Sequence, residues 1–107
     1  MLRLKVNPPT QGNKMKTEIF FYELYIIRNG LLIYVDQVYK IEKVAKRMKS
    51  WAYDCPVICC EFSRQTHKDG SYTTGSNQKN ALILSQQNEV FFADISGWDK
   101  EDFEKIA

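Results

Sequence analysis

Two apolar runs, residues 20–28 and 31–35, are separated only by Asn29-Gly30. Asn-Gly supplies the two positive-φ residues of a type I′ turn, whose twist matches that of the strands it joins. The pattern predicts a tight β-hairpin and fixes its register. On one face Arg28 falls opposite Leu31, Ile26 opposite Ile33 and Leu24 opposite Val35. The other face pairs Ile27 with Leu32 and Tyr25 with Tyr34, sets Glu23 opposite Asp36 and carries Phe21 nearby. A half-buried antiparallel strand alternates apolar with polar positions. Here both faces are apolar, so both need cover.

From residue 37 the period lengthens. Val38, Ile41, Val44, Ala45, Met48, Trp51 and Ala52 recur at steps of three and four, which predicts a long amphipathic helix over 37–52 with Asp36 as its N-cap. Asp54-Cys55-Pro56 ends it, because the residue before proline disfavours the helical region. Residues 57–63 read as a strand with Ile58, Cys60 and Phe62 turned to the core and Glu61 and Ser63 outward. Residues 64–80 are polar, contain the turn signals Asp69-Gly70 and Gly75-Ser76-Asn77, and read as a long loop. Residues 81–85 and 90–95 are short apolar runs that read as a second hairpin, with a helix over 78–87 as the alternative. Residues 99–106 read as a short acidic helix anchored by Trp98, Phe103 and Ile106. The expected fold class is α+β: an antiparallel sheet of about five strands in ββαβββα order, with the long helix packed on one face and a short C-terminal helix. Pro8-Pro9-Thr10-Gln11-Gly12-Asn13 is a breaker cluster, so residues 1–14 read as an arm or upstream extension and 15–107 as a single domain.

The length of 107 residues suits one modest core, and the formal net charge of +2 is too small to name a partner. Its distribution is more informative. Residues 37–53 carry Lys40, Lys43, Lys46, Arg47 and Lys49 against Glu42, whereas residues 89–107 are predominantly acidic. No signal peptide or apolar run of membrane-spanning length is visible. Cys55, Cys59 and Cys60 form no disulfide framework and read as reduced thiols, which places the chain in the cytoplasm.

Candidate chemistry is sparse. A Cys₃His metal set from Cys55, Cys59, Cys60 and His67 is disfavoured because adjacent strand residues point to opposite faces. A cysteine nucleophile with His67 as base would have to form across the loop. There is no phosphate-binding glycine motif. Neither an enzyme nor a cofactor is expected.

Two binding surfaces stand out. The second hairpin face offers Phe21, Tyr25, Ile27, Leu32 and Tyr34, an apolar and aromatic patch suited to a protein partner or to self-association. Within one molecule, the segment carrying Trp98 and Phe103 is the alternative cover. Lys40, Lys43, Lys46 and Arg47 would line one side of the expected helix, and nucleic acid is the alternative partner. In character, compact and motif-free with a two-faced hairpin, the chain resembles small accessory or inhibitor proteins of phages and other mobile elements. That resemblance implies a non-enzymatic protein that occludes a larger partner.

Overall fold

A computed structural model describes residues 16–106. The expected arm, residues 1–14, lies outside them. The described chain runs β1 (Lys16–Arg28), β2 (Leu31–Val38), a 3₁₀ turn (Ile41–Lys43), α1 (Val44–Trp51), β3 (Val57–Thr66), β4 (Tyr72–Leu84), β5 (Val90–Ala93) and α2 (Lys100–Lys105). The strands form one antiparallel sheet in the order β2-β1-β3-β4-β5.

The expected α+β architecture with one long amphipathic helix is overturned. The protein is mostly antiparallel sheet, and its two helices have eight and six residues. The hairpin explains the difference. Once Asn29 and Gly30 close the turn at φ 55° and 73°, β2 continues to pair with β1 as far as Val38 opposite Tyr22. Residues 37 and 38 are thus strand, and only Ile41 onward turns helical. Val38 satisfies a strand's alternation as well as it satisfies a helix's three-residue step. Asp36 consequently caps no helix. Its carboxylate accepts hydrogen bonds from Arg47 and from Trp51 Nε1, the latter at 2.9 Å.

The polar stretch 64–80 is also not a loop. β3 runs to Thr66, a turn closed by Gly70 N–H donating to the His67 carbonyl reverses the chain, and β4 runs back from Tyr72. Its side chains give little burial signal, but its backbone is satisfied by the ladder to β3, from Thr66 opposite Tyr72 to Glu61 opposite Asn77. Beyond it, β4 and β5 form the second hairpin, from Leu84 opposite Val90 to Ala81 opposite Ala93.

The sheet is buried on both sides. Leu24, Ile26, Val57, Cys59, Leu82 and Leu84 pack beneath Val44 and Met48 of α1. On the reverse, Ile27, Ile58, Cys60, Ala81 and Ile83 pack beneath Ile95 and Phe103. Central β3 is therefore apolar at four consecutive positions, Val57 to Cys60, all buried. Ser63, expected outward, is buried as well.

Three irregularities shape the sheet. Val35 is the extra residue of a bulge in β2, so Leu24 faces Asp36 and Glu23 faces Gln37, one position beyond the expected partners Val35 and Asp36. Phe20 is the extra residue in β1 against β3. Between Cys59 and Glu61 the ladder to β4 is interrupted, and Gln78 to Asn80 break its register.

Candidate functional site

The reverse face of the sheet divides into two halves. At the end near the first hairpin's turn, the C-terminal segment lies across it. α2 is set by a capping box in which Asp99 accepts from the Asp102 N–H at 3.1 Å and Asp102 accepts from the Asp99 N–H at 3.0 Å. Phe103 and Trp98 then reach the sheet as an edge-to-face pair with ring centroids 5.3 Å apart. This cover leaves Ile27 only 2 % exposed, with Leu32 packed beside it. The turn itself is tucked in, since a side chain at Gly30 would collide with Lys100. Of these two residues expected in the binding surface, Ile27 is thus a core residue and Leu32 is partly buried against the core.

The other half of the face is aromatic, with Phe21, Tyr25 and Phe62 partly buried and Phe20, Tyr34 and Tyr39 exposed. Phe21 stacks on Phe62 with centroids 4.7 Å apart, and Phe20 sits 6.4 Å from the same ring because the β1 bulge turns two consecutive side chains toward it. Phe21 meets Tyr39 edge-on at 5.9 Å, and Tyr25 meets Tyr34 at 5.5 Å. Tyr34 is 48 % exposed and Tyr39 69 %. The Tyr34 hydroxyl donates to Gln37 Oε1 at 2.8 Å, and Gln37 Nε2 donates to the Tyr39 hydroxyl. Phe21, Tyr25 and Tyr34 are therefore brought together as the sequence suggested. Phe62 and Tyr39 were missed as members of the patch, although the strand alternation of Phe62 with Cys60 would have found it.

Polar groups are held within the rings. The Tyr25 hydroxyl donates to Glu23 Oε1 at 3.0 Å, and the Ser76 hydroxyl of β4 donates to the same oxygen. Burial, reinforced by the Glu23 charge against the opposing Ser76 hydrogen bond, pushes the Tyr25 phenol up to about 12. Burial with the charges of Glu23 and Glu61 pushes the Cys60 thiol up to about 12, and the Cys59 thiol is raised further by burial and its acidic neighbours. These thiols are protonated at neutral pH and are poor nucleophiles. Cys59 and Cys60 belong to opposite core layers, so they cannot converge on one ion. His67 sits in the β3–β4 turn, its Nε2 3.3 Å from the Thr73 hydroxyl.

The basic residues lie on the opposite side of the sheet, around α1. Lys40, Lys43 and Lys46 are exposed, Lys40 just before the 3₁₀ turn and Lys43 at its end rather than within an α-helix. Arg47 is paired with Asp36. Among the described residues, no helix is long and apolar enough to cross a membrane. No family model matches the chain, and no curated protein or solved structure matches it.

Proposed function

We propose that this protein is a small non-enzymatic binding domain that works in the cytoplasm by contact with a larger protein, through the aromatic half of the reverse sheet face. The observation that carries this reading is the division of that face. The C-terminal segment covers Ile27, Ile58 and Ile83, Tyr25 packs partly buried against the edge of that cluster, and Tyr34 and Tyr39 beyond it remain exposed. Aromatic residues are enriched in the cores of protein interfaces, and they give large contact area at low cost in side-chain entropy. The rings here are already fixed by one another and by the Tyr34–Gln37–Tyr39 hydrogen bonds, which reduces the ordering cost of binding. A rigid, strongly paired sheet presenting such a patch suits occlusion of a partner's surface, the mode of the small accessory and inhibitor proteins that the chain resembles in character. Nucleic-acid binding through Lys40, Lys43, Lys46 and Arg47 is the weaker reading, because Arg47 is engaged by Asp36 and Glu23 places negative charge on the aromatic face.

The test is capture of partners by the tagged full chain, with and without nuclease, against the Tyr25→Ser/Tyr34→Ser double variant. A partner that survives nuclease and is lost with the double variant, at an unchanged circular dichroism spectrum, is the expected result. Retention by the folded double variant refutes the reading. Loss of every partner on nuclease treatment transfers it to the basic surface, where Lys43→Glu/Arg47→Glu would abolish binding.

A further inference from the structure

Glu23 sits within the aromatic half-face. Strand alternation puts it between Phe21 and Tyr25 on β1, and the ladders put Gln37 of β2 and Cys60 of β3 on either side. It is half-buried. Both of its hydrogen bonds, from Tyr25 and Ser76, converge on Oε1, and among the described residues Oε2 receives none. Neither donor is charged. The ion pairs among the described residues are Arg28–Asp54, Arg47–Asp36 and Arg64–Glu18, and Glu23 is in none of them. A carboxylate drawn partly out of water and given no ion pair by the described residues is stabilised when a cation arrives.

The same face shows what such a cation would look like. Further along it the Arg64 guanidinium carbon lies 5.8 Å from the Phe20 ring centroid and 5.4 Å from that of Tyr72. Its Nη2 is 2.7 Å from Glu18 Oε1. That cluster is a carboxylate, two rings and a guanidinium. Around Glu23 stand the carboxylate and the rings, with no ion-pairing cation among the described residues. Ring faces carry negative quadrupole density that adds to the carboxylate's attraction. A guanidinium fits better than an ammonium, because it can lie flat on a tyrosine while one edge donates to the free Oε2.

We propose that Glu23, with the rings of Phe21, Tyr25, Tyr34 and Tyr39, forms a receptor for an arginine side chain presented by a protein partner. The proposal rests on the reading of this half-face as a protein contact and adds the chemistry of the group it receives. The charge of Glu23 supplies the selectivity: a cationic side chain is drawn in and a phosphate is repelled.

The experiment is an NMR titration of the isotopically labelled full chain with acetyl-Gly-Arg-Gly-amide, and with the same peptide carrying neutral citrulline, at constant ionic strength. The expected result is saturable shifts at Phe21, Glu23, Tyr25 and Tyr34, with the citrulline peptide at least tenfold weaker. Glu23→Gln keeps the Oε1 acceptor for Tyr25 and Ser76, and should weaken the arginine peptide about tenfold at an unchanged urea midpoint. Tyr34→Leu, at an exposed position, should weaken it several-fold. Equal binding of both peptides, undiminished binding by Glu23→Gln, shifts confined to the acidic α2, or no saturable shift would each overturn the proposal. Partner capture separates the two claims. Loss of the partner with Tyr25→Ser/Tyr34→Ser but not with Glu23→Gln would retain the contact face and reject the arginine receptor.

Discussion

Replacing Phe103 by alanine tests whether α2 is the structural cover of the reverse face. Phe103 is 9 % exposed and packs with Ile27, Ile58 and Ile83. Truncating a buried phenylalanine costs about 3–5 kcal/mol, the range reflecting how far the site collapses around the cavity. α2 has only six residues and joins the sheet by a single turn-rich segment, so it can settle inward and the lower end applies. For 107 residues the unfolding entropy near the midpoint is about 0.22 kcal/mol/K, so a loss of about 3 kcal/mol lowers Tm by about 13 °C. In urea, with an m-value near 1.5 kcal/mol/M, the midpoint falls by about 2 M. The assay is equilibrium urea unfolding followed by circular dichroism and by tryptophan fluorescence, to which Trp98 reports directly through its contact with Phe103. A loss below about 1 kcal/mol with m unchanged would mean that Phe103 contributes no cover, and that the division of the reverse face is wrong. Noncoincident curves, with fluorescence changing first, would show α2 detaching before the sheet melts.

Four further outcomes follow from particular contacts. Gly30→Ala should cost about 1–2 kcal/mol from the left-handed backbone alone, and more from its clash with Lys100, read as a lower urea midpoint. Tyr25 should ionise well above the ordinary tyrosine value in a spectrophotometric titration. Because its folded pKa is raised by burial to about 12, above the unfolded value near 10, its contribution is intact below about pH 10 and is lost as pH rises toward 12; Tyr25→Phe should flatten that alkaline limb. Burial raises the Asp36 carboxyl, but hydrogen bonds from Arg47, Trp51 and the Gln37 N–H outweigh it and leave the pKa lowered, so its stabilisation holds above about pH 4 and fades as pH falls through the folded value; Asp36→Asn should blunt the acid limb of a stability–pH curve. A disulfide reagent at pH 8 should modify Cys59 and Cys60 only at the rate of global unfolding, and fast labelling of either would contradict their burial.

The first hairpin was legible because its turn chemistry and its alternation agree. Asn29-Gly30 set the pairs from Arg28–Leu31 to Tyr25–Tyr34 without tertiary help. The register then slips at Val35, which no local signal marks: a bulge is stabilised by where Asp36 ends up, paired with Arg47 some eleven residues later. The helix was overread because Val38 suits both periods and the deciding contact, with Tyr22, comes from the preceding strand. Residues 72–77 were unreadable as strand because Thr, Gly, Ser and Asn carry little burial pattern. Their strand state comes from the backbone ladder to β3. Phe21, Tyr25 and Tyr34 were found as a patch because one face of β1 and β2 is enough to define it. Glu23's setting was not, since the Ser76 donor comes from β4 and the shifted partner Gln37 from beyond the bulge.

The bulges link the fold to the candidate site. Without the extra residue in β2, Glu23 would face Asp36, two acids on one face, and the pair would repel. The inserted Val35 turns Asp36 toward α1, where Arg47 and Trp51 engage it, and brings Gln37 beside Glu23 instead. The extra Phe20 in β1 does the same for the rings, setting Phe20 and Phe21 both against Phe62. One irregularity thus removes a like charge from the half-face and the other adds an aromatic to it. Both sharpen a single negative charge within a set of rings, which is the arrangement a cationic side chain recognises.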